Sequence, residues 1–447
     1  MSILKNSFES KAYNNIMLLS VFMYTFCVVP FPAISDIFRT VFIIGSLGIF
    51  YFHKDKIYKE PMVILLFLII LIQILSWLNS LIYIPEFSNS APKIDRLGKL
   101  FIFIFMAYWL KGEINNVYIL WGCYIIGFLL GCIINSDFIN DFISGLQGKR
   151  VDFNIKNAQY TSMFSGLSFI FCFFHLILLS FTKKLTSNIK IRITISTTLF
   201  ILSVLFFIII IISQSRMVWL AILITITLIP LLFSICSEKI KLKYILYGYV
   251  IIFIFMFFII KEISPIIEKR SGEGDMQSIY KIINFDTDNI PMSSVGIRLN
   301  SWMESIPWFN AHPILGLDSN TPGLIISQSE LFSKRINENF GIIKGLRHLH
   351  NFHIEMLVSY GIIGLLLIYA LYINLPRSLF LIKDKLPDAN LWIFLSLCCI
   401  TYWLTINAFE SFNSRNYGVY SHNVFFAGLY TFYLSIALDL KDKGRKP

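Results

Sequence analysis

The chain is poor in charge. Only 15% of its 447 residues are Asp, Glu, Lys or Arg, against roughly 25% in a soluble globular protein. The deficit is spread evenly along the sequence, which excludes a soluble domain on one anchor and points to many membrane spans. Cysteine is also scarce. All seven (Cys27, Cys123, Cys132, Cys172, Cys236, Cys398 and Cys399) fall within or at the ends of apolar runs. None sits in a long polar segment and CxxC pairs are absent, so neither a disulfide framework nor a cysteine metal site is expected. The adjacent Cys398 and Cys399 read as helix-packing residues. A P-loop and a glycine-rich dinucleotide motif are lacking. So is any internal repeat of fixed period, which leaves solenoid and inverted-repeat architectures without support. The first apolar run, from about Ile16 to Phe31, is longer than a usual signal-peptide core and has no A-x-A site, so a retained first span is expected.

What is present is apolar: 56% hydrophobic residues, 16% aromatic, and a mean hydropathy of +0.68. A bilayer-crossing helix takes ~20 such residues. Runs near 13–31, 34–52, 61–84, 97–110, 114–135, 158–182, 191–212, 217–236, 243–260, 353–375, 391–409 and 420–440 give about twelve spans, the fourth short. The expected fold is therefore an all-α polytopic membrane protein. Residues 1–260 carry spans one to nine, 261–349 form a large extramembrane loop, and 350–447 carry spans ten to twelve and a tail. With both termini inside, the inner connections hold twenty lysines and arginines and the short outer ones seven. The positive-inside rule thus places the termini in the cytoplasm and the large loop outside. The formal charge of +11 reads as anchoring to an anionic inner leaflet and not as nucleic-acid binding. Amphipathic pieces of the loop, such as "RLNSWMESIPWF", suggest short helices on the membrane surface.

Outer cations run against the topological bias, so each asks for a reason. Arg216 in "SQSRMVWL" ends a tight outer turn; it is either a snorkelling interfacial residue or an anion contact. Arg298 in "VGIRLNSW" opens a surface helix, and alone would be an ordinary solvated residue. Lys149, Arg150 and Lys156 form a third cluster in "GKRVDFNIKNAQY", and Arg347 a fourth position. Together they suggest a pocket for a diphosphate, which the guanidinium fork suits. Three of only seven histidines gather beside Arg347, in "RHLHNFHIEMLVSYG". His350 and His353 are spaced i, i+3, yet Glu355 is the one anionic neighbour in the local sequence, so a metal site is not expected. His353 reads as structural. His350, at the water–lipid boundary, is placed to accept a proton near its reference pKa of ~6.5. Asp286 and Asp288 in "FDTDN" form a D-x-D pattern that a polar turn explains equally well, and the turn is preferred.

These residues resemble the O-antigen ligase family, whose pattern H-[NSQ]-x9-G-x-x-[GTY] ends a large periplasmic loop. His350, Asn351, Gly361 and Gly364 fill every specified position. "SQSRMVWL" is similar to the family's arginine segment, and "VGIRLNSW…HPILGLDSN" to its G-x-R segment followed by a P-x-x-G turn. The resemblance is specific over about fifty residues, while the architecture it implies covers the whole chain. It implies a GT-C-like membrane glycosyltransferase in the inner membrane of a Gram-negative cell, with its site facing the periplasm. The donor would be O-antigen on undecaprenyl diphosphate, the acceptor lipid A–core, and no cofactor or metal would be needed. His350 would be catalytic and Arg216 and Arg298 would hold the diphosphate. Arg347 and His348 would support them, Asn351 would orient, and Gly361 and Gly364 would let helices approach closely.

The chemistry is compatible with that set. Diphosphate is a good leaving group once fixed cations neutralise it, and the attacking hydroxyl needs one base. A carboxylate pair, as in glycoside hydrolysis, is not required. The nearest rival is an O-antigen polymerase, which shares the superfamily and the chemistry. A lipid-linked sugar flippase is the rival of another class, but transporters place ionisable residues near the midplane of their spans.

Overall fold

The structure is a computed structural model that describes residue 8 and residues 10–181, 189–236, 246–250, 272–286, 290–337 and 345–440. It is helical, with no strand among the described residues. The long helices are α1 (Lys11–Cys27), α2 (Pro32–Ser46), α3 (Pro61–Tyr83), α4 (Phe103–Leu110) and α5 (Ile114–Asn135). After a short α6 (Phe138–Leu146) come α7 (Ala158–Phe181), α8 (Ile189–Ile212) and α9 (Arg216–Cys236). The large loop contributes α10 (Glu273–Ile283), α11 (Ser294–Ala311), α12 (Thr321–Gln328) and α13 (Glu330–Asn337). α14 (Phe352–Leu381), α15 (Ala389–Asn407) and α16 (Asn416–Ala437) close the bundle.

Among the described residues, eight helices are long and apolar enough to cross a membrane. They correspond to the second, third, fifth to eighth, tenth and eleventh expected spans. Their outward faces are greasy: Ile37, Phe200, Ile201 and Leu366 are each more than half exposed. In water such a surface would be an aggregation site, so it fits a lipid surround. The ninth expected span, 243–260, lies outside the described residues except for 246–250. The fourth departs from the expected single helix. It is broken into a helical turn (Asp95–Gly98), a 3-10 turn (Lys99–Phe101) and α4. The break is served by Asn423 of α16, whose amide donates to Lys99 O (2.9 Å) and whose oxygen accepts Phe103 N–H (2.8 Å). A buried asparagine thus satisfies backbone groups that a continuous helix would have paired internally.

α16 is the central helix, buried on nearly every side, and contributes Val424, Phe425, Phe426 and Tyr430 to a core that runs through the bundle. The large loop has its own small core of Ile297, Ile325, Ile326, Phe332, Leu349 and Val358. That core ties α11, α12 and α13 to the first turns of α14. α14 is interrupted at Gly361, where φ is 63° and ψ −169°, a conformation open in practice only to glycine. The P-x-x-G turn of the loop docks into this break. Ile362 N–H donates to Pro313 O (2.8 Å), Leu317 N–H to Val358 O (3.0 Å) and Asp318 N–H to Ser359 O (2.9 Å). A Cβ on Gly361 would stand 2.1 Å from Ile314 O, and one on Gly316 2.4 Å from Ser359 C. The glycine is required by loop backbone and not by a second helix, as had been expected. At Gly364 the atom a Cβ would meet is Tyr360 Cβ, across the same kink.

Candidate active site

Four chain segments converge at one end of the bundle. The turn 213–215, between α8 and α9, is buried and carries Arg216 at the start of α9. Gln214 takes a left-handed φ of 52°, and its side chain donates to Gly148 O (3.0 Å). Arg150 Nε–H and Val151 N–H of that neighbouring loop donate back to Ser213 O (3.3 Å) and Ile212 O (3.2 Å). Arg216 is thereby placed on a stiff corner. Its guanidinium pairs with Asp275 of α10 (2.8 Å). Asp275 also accepts Val295 N–H (2.8 Å) at the start of α11, where Ser293 caps Gly296 N–H (3.1 Å). Burial alone would raise the Asp275 carboxyl; bonds from Val295, Ser293 and Arg216 reverse this and hold it below the usual range.

One turn into α11, Arg298 donates to Ser294 O (2.9 Å) and Ser294 Oγ (3.1 Å), while its Nε–H is buried without a partner. Burial lowers its pKa somewhat, with neighbouring Arg216 acting the same way and Glu410 opposing. Arg216 and Arg298 line one cavity of about 380 Å³, together with Arg150, Gln159, Trp302 and Phe409. An orphaned buried donor and three guanidiniums in one cavity make a site that an anion would complete.

His350 sits beside this cavity and is not among its lining residues. It takes a left-handed φ of 51° and follows the fully buried Leu349. Trp302 Nε1–H donates to Leu349 O (2.8 Å), so the cavity wall holds the histidine loop directly. Asn351 caps α14, accepting Ile354 N–H (3.1 Å). Glu355, one turn on and fully buried, accepts Leu349 N–H (3.1 Å), Ser411 Oγ–H (2.6 Å) and Arg96 Nη2–H (3.3 Å). It is thus a hub that joins the histidine loop to the segment between α15 and α16.

That segment delivers a residue the sequence reading missed. Glu410 is 4% exposed and accepts from His350 Nδ1 (3.0 Å) and His348 Nε2 (3.2 Å). The two rings lie 4.0 Å apart between centroids. Burial would raise the Glu410 carboxyl, but the two histidine bonds and charges outweigh it and hold it well below the carboxylate range. Burial lowers the His350 pKa, only partly offset by Glu410, with His348 and Arg298 acting in the same direction as burial. The arrangement that satisfies both is an ionised Glu410 accepting Nδ1–H of a neutral His350. The Nε2 of His350 then has a free lone pair and no partner among the described residues. The ligand atoms of His348, His350 and Glu410 also lie within 4.8 Å of one another, so this set could hold a cation. The anionic member is Glu410, and not the Glu355 that the local sequence offered.

Residues 201–369 match the O-Antigen ligase family. The matched stretch runs from α8 into α14 and contains Arg216, Arg298, Arg347, His348, His350, Asn351, Gly361 and Gly364. Glu410 lies beyond it. No curated protein matches the chain. Within the matched stretch, Arg216 and Arg298 share a cavity, and His348 and His350 share a carboxylate. Arg347 is exposed, and its side chain has no partner among the described residues. His353 bonds Leu404 O (3.1 Å) and the Tyr369 hydroxyl (3.2 Å), a structural placement between α14 and α15. Asp286 lies in the turn after α10, paired with Lys281 (3.0 Å), and Asp288 is outside the described residues. Glu410 had one signal in the sequence: it is the sole carboxylate between the eleventh and twelfth expected spans.

Proposed function

We propose that the protein is an O-antigen ligase, moving a glycan from undecaprenyl diphosphate to lipid A–core at the periplasmic face of a bacterial inner membrane. On this reading the twelve-span, GT-C-like architecture stands with both termini in the cytoplasm. The observation that carries it is the Glu410–His350 pair beside a cavity lined by Arg150, Arg216 and Arg298, with His350, Arg216 and Arg298 inside the stretch that matches that family. The acceptor oxygen attacks the anomeric carbon as the bond from that carbon to the diphosphate oxygen breaks. The electron pair passes to the diphosphate, whose charge Arg216 and Arg298 hold. The hydroxyl proton passes to His350 Nε2, and Glu410 stabilises the imidazolium that forms. A single displacement inverts the anomeric centre.

The test is reconstitution of purified protein with lipid-linked donor and lipid A–core, with and without chelator. Transfer that persists in chelator and vanishes in His350→Ala supports the mechanism. Transfer that needs an added divalent cation would assign His348, His350 and Glu410 to a metal instead. The polymerase reading is separated by gene deletion. Loss of a ligase leaves polymer on undecaprenyl diphosphate with bare core, whereas loss of a polymerase leaves core capped by one repeat unit.

A further inference from the structure

A second cavity of about 390 Å³ opens on the other flank of the Glu410 segment. It lies between the first turns of α2, the loop before α7, and the residues that lead into α16. Arg39, Lys156 and Arg415 line it, with a single carboxylate, Asp36. Asp36 is already paired with Arg39 (3.1 Å). Lys156 and Arg415 form no ion pair among the described residues, and Glu410 acts on Lys156 only electrostatically. The Arg415 side chain makes no hydrogen bond or ion pair among the described residues. Lys156 Nζ contacts only Tyr160, 3.3 Å from its hydroxyl and 4.7 Å above its ring.

The loop is built to present Lys156. Phe153, Asn154 and Lys156 all adopt left-handed φ values of 48°, 55° and 58°, an uncommon state for residues with side chains. The burial of Phe153 and Ile155, with bonds from Asn154 to Asn135 O (3.0 Å) and from Thr161 to Asp152 O (2.6 Å), holds it there. Burial and the charge of Arg415 both lower the Lys156 pKa, against an opposing pull from Glu410. The remaining wall suits a sugar: Tyr417 and Tyr420 contribute aromatic rings, the Tyr420 hydroxyl being spent on Thr25 O (2.6 Å), and Ser414 Oγ is buried without a partner among the described residues. Glu410 interacts electrostatically with Lys156 on this side and with Arg298 on the other. Phe409 lines the first cavity, and Ser414 and Arg415 of the same segment line this one, so the Glu410 segment runs between two cationic cavities.

The geometry points to this second cavity as the subsite for a phosphorylated saccharide, the acceptor, with Lys156 and Arg415 binding its phosphate ester. The assignment rests on the ligase reading above, since an inverting transferase holds its acceptor on the face of the anomeric carbon opposite the leaving group, with the base beside the reacting hydroxyl. A phosphate ester could also come from an anionic phospholipid headgroup, and the experiment separates the two.

Binding of lipid A–core to the full-length protein in neutral-lipid nanodiscs is measured without turnover, using the acceptor as isolated and after enzymatic removal of its phosphates. Lys156→Gln with Arg415→Gln is expected to weaken binding of the phosphorylated acceptor on the order of tenfold per cation. Dephosphorylated acceptor should bind wild type as weakly as it binds the variant. Lys156→Arg with Arg415→Lys should restore most of the affinity, and Arg216→Gln should leave it unchanged. If wild type transfers glycan to lipid A–core but the double Gln variant binds it normally, the subsite is wrong and the ligase reading stands. Competition by phosphatidylglycerol nanodiscs as strong as that of the acceptor would make the cavity a headgroup site and overturn the assignment. Absence of both transfer and binding in wild type would overturn the ligase reading itself.

Discussion

Replacing Glu410 with glutamine removes one charge and almost no volume, and it tests the chemistry most directly. The carboxylate is 4% exposed and lies 3.0 Å from His350 Nδ1. At that separation and an effective dielectric of about 20, the Coulomb attraction to a full imidazolium is ~5.5 kcal/mol, an upper bound. Hydrogen bonds to charged groups are worth about 1.5–3 kcal/mol net. Because the imidazolium develops only as the proton is taken, this stabilisation falls mainly on the transition state. A loss of about 2–3 kcal/mol corresponds to a fall in kcat of roughly 30- to 150-fold. The pH profile should move as well. In the proposed mechanism His350 acts when neutral; burial already lowers its pKa, and Glu410 opposes that shift. Without the carboxylate the pKa drops further, so the acid limb of kcat moves to lower pH while the plateau falls. The assay is single-turnover transfer by purified protein between about pH 5 and pH 9. A Glu410→Gln enzyme with the wild-type rate and an unmoved acid limb would refute the proton-transfer argument.

Other perturbations follow from the same geometry. Arg216→Lys and Arg298→Lys should retain only part of the activity, because the fork is lost, and the alanine variants should lose nearly all of it while remaining folded; donor KM and kcat read this out. Gly361→Ala should destabilise severely, since φ 63° is unfavourable for alanine and the new Cβ would stand 2.1 Å from Ile314 O. The expected sign is low yield in membranes and a lowered Tm in detergent. Glu355→Ala should cost about 3–5 kcal/mol, the usual loss when one partner of a buried ion pair is removed. Its Arg96 would be left without the carboxylate that also holds Leu349 N–H and Ser411. Thermal unfolding would check this, and an unchanged Tm would show that the hub is not structural.

Much of this arrangement was legible before any coordinates. Long apolar runs fix helices because unpaired backbone is intolerable in lipid, and most expected limits fell within a few residues of α3, α5, α8 and α15. The arginines announced themselves by violating the positive-inside rule. Three things were hidden. The break in the fourth span depends on Asn423, more than three hundred residues away. The hub at Glu355 looked like a local neighbour of the histidines, yet its partners Arg96 and Ser411 come from distant connections. Glu410 lies 60 residues beyond His350, and no local pattern encodes their contact. Spacing rules read one helix at a time, and these pairings are made between helices.

The interruption of α14 divides that helix into two levers. The stretch from Asn351 to Tyr360 is fastened on one side to the 313–318 turn and, through Val358, to the loop's own small core, and on the other to the main bundle through Phe352, Met356 and Tyr360; the stretch beyond Gly361 packs in the main bundle. The imidazole therefore sits where loop and bundle meet, joined to the Glu410 segment directly and through Glu355 and Ser411. A swing of the loop about Gly361 would strain both packings at once, so the contact between His350 and Glu410 lasts only while loop and bundle stay seated on each other.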